Sequence, residues 1–348
     1  DPRAANFEAG DFPKLDAAFR EEFGASGCYF FDEIQNVPKW ELFVRSQLDR
    51  GKHFAITGSN ASLLSRELGT RLTGRHMRHE LFPFSYSEYL AFTSAKAGLG
   101  TFNDYFLRGG FPEYLSAGKS EILQELFNDI LARDIMVRHG LRSGKALREL
   151  AAYLLSNTGK EFSYNSLAKT FSLGSVNTAV AFVSYLEDSY LLFTVPKFDY
   201  SLKKQSVNPK KVYSIDNGFS NANSASFSSD KGRMLENLVF LELKRQGGEI
   251  FYFRQKGECD FLVRQKGKIT AAYQACYELS EDNRAREVSG LAEAMARFGL
   301  REGLILTNDG EDELRVSGKT ILVKPVWKWL LEGKAAKPRG NFGKKKSK

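Results

Sequence analysis

The sequence predicts an α/β fold that opens on a parallel sheet, and three observations carry that prediction. An apolar run, Cys28-Tyr29-Phe30-Phe31, ends in two adjacent acids, Asp32-Glu33. A second apolar run, Lys52-His53-Phe54-Ala55-Ile56, ends in small polar residues, Thr57-Gly58-Ser59-Asn60. Between them Trp40, Phe43, Val44 and Leu48 recur at helical spacing, after a turn at Asn36-Val37-Pro38. Strand, helix and strand in this order make a βαβ unit with parallel neighbours.

Acids at one strand end beside a polar second strand end are what the catalytic edge of an ATP-hydrolysing P-loop domain requires. Asp32 can hold Mg²⁺ through water, Glu33 can polarise an attacking water, and the second strand end can hold that water or the γ-phosphate. A third strand is expected at His76 to Leu81, closed by Phe82-Pro83. Three strands leave bare sheet edges. No Gly-x-x-x-x-Gly-Lys-[Ser/Thr] phosphate loop (Walker A) occurs in the sequence. Gly118-Lys119-Ser120 does not supply one, because position 113 is Glu and no strand precedes it. The chain opens at Asp1-Pro2-Arg3. We expect the first strands and the phosphate loop to lie upstream of residue 1, and residues 1–348 alone to bind ATP weakly or not at all.

The length of 348 residues suits two or three domains, and 42% hydrophobic content with 28 Phe excludes global disorder. No apolar run reaches the roughly 18 residues of a membrane span, so no membrane partner is expected. Cys28, Cys259 and Cys276 lack metal-ligand spacing, and their odd number suits a reducing compartment; a cytoplasmic location is expected. The net charge of +8 is concentrated in a tail. Residues 334–348 hold seven basic residues and no acid, and subtracting those seven leaves +1. The tail is read as a solvated, disordered end, with an accessory nucleic-acid contact as the alternative.

From Ser87 to Arg142 the pattern is mainly helical, broken at Gly109-Gly110-Phe111-Pro112. Residues 145–200 read as three helices and an extended segment. The helices lie near Leu147 to Leu155, through Leu167 to Phe171 after Ser163, and from Val176 to Glu187 after Ser175. Both serines are helix caps. Tyr190 to Pro196 then extends. Three short helices followed by a hairpin make the winged-helix pattern. Its third helix opens with Ser175, Asn177 and Thr178, which can bond to bases, while Lys169, Lys197, Lys203 and Lys204 can meet phosphates. The rest of that helix is strongly apolar, which suits protein contact or interdomain packing. Ser201 to Asp230 reads as irregular. A long helix, Gly232 to Gln246, follows, then strands at Ile250–Phe253, Asp260–Val263, Ile269–Gln274, Leu304–Thr307 and Ile321–Val323. Helices are expected from Asn283 to Phe298 and from Trp327 to Leu331. His76 and His79 would face opposite sides of a strand and so would not share a metal.

Taken together, the runs Phe30-Phe31-Asp32-Glu33-Ile34-Gln35-Asn36-Val37, Ile56-Thr57-Gly58-Ser59-Asn60, Leu72-Thr73-Gly74-Arg75, Glu80 to Ser85, Gly109 to Pro112, Gly232 to Asn237 and Glu258 to Phe261 resemble a prokaryotic AAA-type ATPase family. In that family a P-loop domain is joined to a winged helix and to a C-terminal restriction-endonuclease-like domain of unknown function. The resemblance implies a partial P-loop domain over residues 1–90, a helical lid or connector over 91–144, a winged helix over 145–200, an endonuclease-like α/β domain over 201–333 and the tail from 334. It also implies ATP and Mg²⁺ as cofactors, with Asp32 as the Mg²⁺-water ligand and Glu33 as the base. Ser59 and Asn60 would be the sensor, and Arg75, or else Arg66 or Arg71, the arginine that meets the γ-phosphate from the same or a neighbouring subunit.

An endonuclease-like core needs carboxylates for Mg²⁺ and a lysine beside the attacked phosphate. Glu236 and Asp260 would supply carboxylates, but the expected Glu-x-Lys falls at Gln274-Ala275-Cys276. A neutral amide is a poor Mg²⁺ ligand and a thiol cannot serve as the cation, so cleavage is not expected. The leading expectation is an ATPase coupling nucleotide state to a C-terminal half that binds DNA or protein, with DNA, a protein partner or a second copy of the chain (a homo-oligomer) as the partners considered. A nucleotide-independent binding module and a Mg²⁺-dependent nuclease are the alternatives.

Overall fold

The computed structural model describes residues 7–34, 37–58, 76–141, 143–224 and 230–332. Near the N-terminus, helix α1 (Phe12–Phe23) begins with proline in its first turn, where a missing N–H costs nothing. Strand β1 (Cys28–Phe31), helix α2 (Trp40–Leu48) and strand β2 (His53–Ile56) follow as the sequence predicts, and β1 pairs with β2 in parallel, Phe31 opposite Ile56. Phe12, Ile34, Trp40, Phe43 and Val44 form a core of their own, with Phe12 stacked on Phe43 at 4.7 Å.

The third strand expected at His76 to Leu81 does not form. Among the described residues β1 and β2 make a two-stranded sheet, and residues 76–80 run outside any ladder. The segment finds side-chain partners instead: Arg78 bonds Glu80 at 2.6 Å and the Tyr190 hydroxyl at 2.9 Å. Met77 and Leu81 stay exposed.

A helical region comes next: α3 (Tyr86–Thr93), α4 (Leu99–Arg108), α5 (Pro112–Ala117) and α6 (Glu121–Asp129), the last running on as a π-helical stretch, Ile130–Val137. Gly118 caps α5 with φ of +70°, so Gly118-Lys119-Ser120 ends a helix rather than a strand. Then come α7 (Lys145–Ser156), β3 (Glu161–Phe162), α8 (Tyr164–Thr170), α9 (Val176–Asp188), β4 (Leu192–Pro196), α10 (Leu202–Val207), β5 (Lys210–Ser214) and α11 (Asn217–Asn223). The strands form one antiparallel sheet in the order β3-β5-β4. The segment Ser201 to Asp230, read as irregular, thus contains two helices and a central strand. Polar side chains shape it: Ser201 caps α10 and Asp216 caps α11, and serine and aspartate serve loops and helix caps alike, so composition alone does not separate the two.

The C-terminal unit has α12 (Lys231–Gln246), β6 (Glu249–Arg254), β7 (Glu258–Gln265), β8 (Lys268–Ala275), α13 (Glu281–Phe298), β9 (Glu302–Thr307), β10 (Asp312–Val316), β11 (Lys319–Pro325) and α14 (Val326–Glu332). The six strands lie in the order β10-β11-β9-β8-β7-β6, parallel at β8–β9 and β9–β11 and antiparallel elsewhere. Strand β10 has no counterpart in the sequence reading; its side chains are largely exposed and charged, as an edge strand's are. One face of the sheet packs on α13 around Leu291, Met295 and Ile305. The other face shares a continuous core with α12 and with the helices before it, from Tyr86 to Trp329.

The join between these parts is tight at Gly109-Gly110. Gly109 has φ of +73°, and a Cβ there would collide with the Asp216 carboxylate. Asp216 accepts from the Gly110 N–H at 2.7 Å and the Phe219 N–H at 2.9 Å. A Cβ on Gly110 would strike the backbone of Phe84. Gly110→Ala is therefore expected to destabilise the fold by about 1 to 3 kcal/mol, the range for overpacking, measured by urea denaturation; an unchanged midpoint would contradict this packing.

Candidate functional site

Two clusters of sequence-predicted residues have a defined geometry. At the first, β1 delivers Asp32 and Glu33 to its carboxyl end, beside the end of β2. The Thr57 hydroxyl donates to Asp32 Oδ1 and accepts from the Glu33 N–H at 3.3 Å. Glu33 sits at φ of +49°, in the left-handed region that non-glycine residues seldom adopt. Such strain recurs where side chains must be aimed. Asp32 is exposed and Glu33 half-buried. Both are present as acids beside a polar strand end, so the donor set fits a hydrated divalent cation. A cavity of about 510 Å³ opens next to this edge, lined by Ile56, Thr57, Gly58, Phe82 and Tyr190 among others. Ser59, Asn60 and Arg75, with Arg66 and Arg71, lie outside the described residues.

The acidic edge also reaches the helical region. The Asp134 carboxyl in the π-helical stretch is raised above its ordinary value by burial; Arg138 opposes this and the Glu33 charge adds to it.

The second cluster brings Glu236, Asp260 and Gln274 together, as expected, and adds residues that sequence reasoning missed. Lys211, from β5, sits among them at 4% side-chain exposure. Its ammonium lies 2.8 Å from Glu236, 2.7 Å from Glu258 and 3.0 Å from Asp260. Three N–H donors meet three carboxylates. The Tyr213 hydroxyl donates to the same Glu236 oxygen at 2.7 Å, and Asp260 Oδ2 accepts from the Ala275 N–H at 3.0 Å. Gln274 takes the Asp260 N–H on its oxygen at 3.2 Å and donates to Glu287 at 2.6 Å. An amide that both accepts and donates here suits a hydrogen-bond bridge better than a metal ligand. Among the described residues no group of three or more His, Cys, Asp or Glu is arranged to hold a metal ion. The carboxylates also line a cavity of about 330 Å³, with Arg233 and Arg286 at its walls.

Burial alone would lower the Lys211 ammonium, but Asp260, Tyr213, Glu236 and Glu258 together hold it well above its ordinary value. The Glu236 carboxyl is pushed up by burial first and by Asp260 second, with Lys211 opposing. One ammonium faces two buried carboxylates and the half-buried Glu258, an imbalance that favours the protonated form of Glu236. Lys211 carried one signal in the sequence, a lysine directly before the apolar pair Val212-Tyr213. That signal has no direction without the fold.

The residues considered for nucleic acid are dispersed. Ser175 caps α9, accepting from the Thr178 N–H at 3.1 Å, and its hydroxyl lies 3.0 Å from that of Thr178. Asn177 and Lys169 are exposed on α9 and α8. Lys197 is partly buried, whereas Lys203 and Lys204 are exposed on the β4–β5 connection. Cys28, Cys259 and Cys276 are free thiols; Cys276 is raised to about 11 by burial and then by Glu287. His76 and His79 fall in the non-strand segment 76–80.

An uncharacterized protein of Methanocaldococcus jannaschii is 37% identical over 334 residues, covering 87% of this chain and 74% of its own length. The chain belongs to that protein's family. An uncharacterized protein of Haemophilus influenzae is 26% identical over 341 residues, covering 93% of this chain and 82% of its own. Residues 1–90, which include the acidic edge, match the AAA domain family. Residues 99–230 match a domain of unknown function, DUF8612. No helix among the described residues is long and apolar enough to cross a membrane.

Removing the ammonium while leaving its partners strands buried negative charge. Lys211→Met is expected to cost about 3 to 5 kcal/mol, the range for breaking a buried ion pair, in urea denaturation; a loss below about 1 kcal/mol would show the cluster to be solvated. Glu236 makes a separate prediction. A carboxyl whose folded pKa lies above its unfolded value takes up a proton on folding. It therefore favours the folded state at low pH, and that contribution is lost as pH rises through the folded value. Melting temperatures from about pH 5 to pH 8 should fall less in Glu236→Gln than in the wild type.

Proposed function

We propose that this protein is an AAA-type ATPase whose nucleotide state controls binding by its C-terminal half. The observation that carries the reading is the pairing of Asp32 and Glu33 at the carboxyl end of β1, tied by Thr57 to the end of β2. Asp32 would hold Mg²⁺ through water, and Glu33 would take the proton of an attacking water. Bound Mg²⁺–ATP supplies the phosphoryl group and the charge that neutralises it. Thr57 fixes the Asp32 carboxylate and the Glu33 backbone in one orientation, so that the two acids keep separate tasks. Ser59 and Asn60 would position the water, and Arg75 would meet the γ-phosphate. The sequence has no phosphate loop, so these residues account for the metal and water end of the reaction only.

In the same reading, α7, α8 and α9 with the β3-β5-β4 sheet form a winged helix, and the unit from α12 onward is endonuclease-like in shape. Its carboxylates hold a lysine, which supports binding over cleavage. DNA or a protein is the class of partner.

In the full-length gene product, Glu33→Gln is expected to keep ATP binding and lower hydrolysis by about 10² to 10⁴-fold, the worth of a general base. Asp32→Asn should weaken the Mg²⁺ dependence. Turnover that survives Glu33→Gln would remove the role given to Glu33.

A further inference from the structure

The connection between β4 and β5 is fixed to the C-terminal sheet rather than free. Lys197 forms a parallel bridge with Tyr252, and the Phe198 N–H donates to the Tyr252 carbonyl at 2.8 Å. The Phe198 ring meets Phe298 edge-on at 4.8 Å and Phe251 at 5.5 Å. At the other end the Tyr252 hydroxyl donates to the Pro209 carbonyl at 2.8 Å. Anchored at both ends, the segment frames a cleft of about 330 Å³ with β6 and α13.

Its charge departs from the rest of the molecule. Lys197 to Pro209 contains three lysines and one acid, in a chain close to neutral outside residues 334–348. Lys197, Lys204, Arg254 and Arg297 line the cleft, with Asp199 as its acid. Arg254 is engaged by Glu161 at 3.1 Å. Among the described residues no carboxylate lies within 4.0 Å of Lys197, Lys204 or Arg297. Beside these cations Tyr200 is held 72% exposed, with the Arg297 guanidinium 5.6 Å from its ring centre.

We propose that this cleft, shared by the β4–β5 connection and the C-terminal sheet, binds an unpaired nucleic-acid strand. Lys197, Lys204 and Arg297 meet its phosphates, and a base stacks on Tyr200. Unbalanced cations match a polyanion, and an exposed ring beside an arginine is the stacking platform such strands use. A duplex hides the faces of its bases, so the ring favours the single strand. The inference rests on the proposed binding role of the C-terminal half and names the partner and its site.

The test is fluorescence anisotropy of the full chain, without nucleotide, on a labelled oligothymidylate of about 15 nucleotides and on a duplex of equal length. The single strand should bind more tightly. Tyr200→Ala should weaken it about tenfold, within the range for one stacked base. Lys197→Glu/Lys204→Glu/Arg297→Glu should weaken it further and flatten its salt dependence. Equal affinity for the duplex, or no effect of these variants, overturns the proposal. So does displacement of the strand by polyglutamate as effective as by unlabelled strand, which would indicate an acidic protein partner. If Lys169→Ala/Asn177→Ala weakens nucleic-acid binding while the cleft variants do not, the cleft fails and nucleic-acid binding by the C-terminal half stands. Absence of all nucleic-acid binding defeats both.

Discussion

The buried ammonium of Lys211 constrains more of this molecule than any other single group. It belongs to β5, the central strand of the three-stranded sheet, yet its partners come from α12 and β7 of the C-terminal unit. Desolvating a charge is costly unless its bonding capacity is filled, and here each N–H finds a carboxylate. Separating the two sheets would break all three of these ion pairs at once. The ion pairs therefore tie the two units together on this edge, as does their continuous apolar core.

The proposed coupling has a candidate physical route. Glu33 acts electrostatically on Asp134 in the π-helical stretch that continues α6. Phe127 of α6 packs edge-on against Phe219 at 6.1 Å. The Phe219 N–H is held by Asp216, two residues beyond the end of β5, which also grips Gly110. The link from Glu33 to Asp134 is one of charge alone, whereas from α6 through Phe219 and Asp216 to β5 it is packing, hydrogen bonding and chain connectivity. Coupling between nucleotide state and the C-terminal half would need a two-state element biased from both ends.

The parts of the fold legible in the sequence were those with strong local period. The βαβ unit, the three helices from α7 to α9, α12, α13 and five strands of the C-terminal sheet follow from apolar spacing and from Ser163 and Ser175 as caps. What escaped was specified at a distance. Strand β5 was missed because Lys210-Lys211 breaks its apolar run, and Lys211 is tolerated inside only because Glu236, Glu258 and Asp260 arrive from far along the chain. The segment from His76 to Leu81 looked like a strand but found no neighbouring ladder, and its side chains bind Tyr190 instead. Glu236, Asp260 and Gln274 were recognisable as a carboxylate cluster with an amide. The cation among them was not, because a lysine's partner cannot be read from its own neighbours.

The most direct test is a Mn²⁺ titration of the nucleotide-free chain, followed by electron paramagnetic resonance, with Asp260→Asn in parallel. If Lys211 is the resident cation of the carboxylate cluster, the two proteins will take up Mn²⁺ identically. A bound Mn²⁺ that disappears in Asp260→Asn would contradict this and show that the cluster is open to metal.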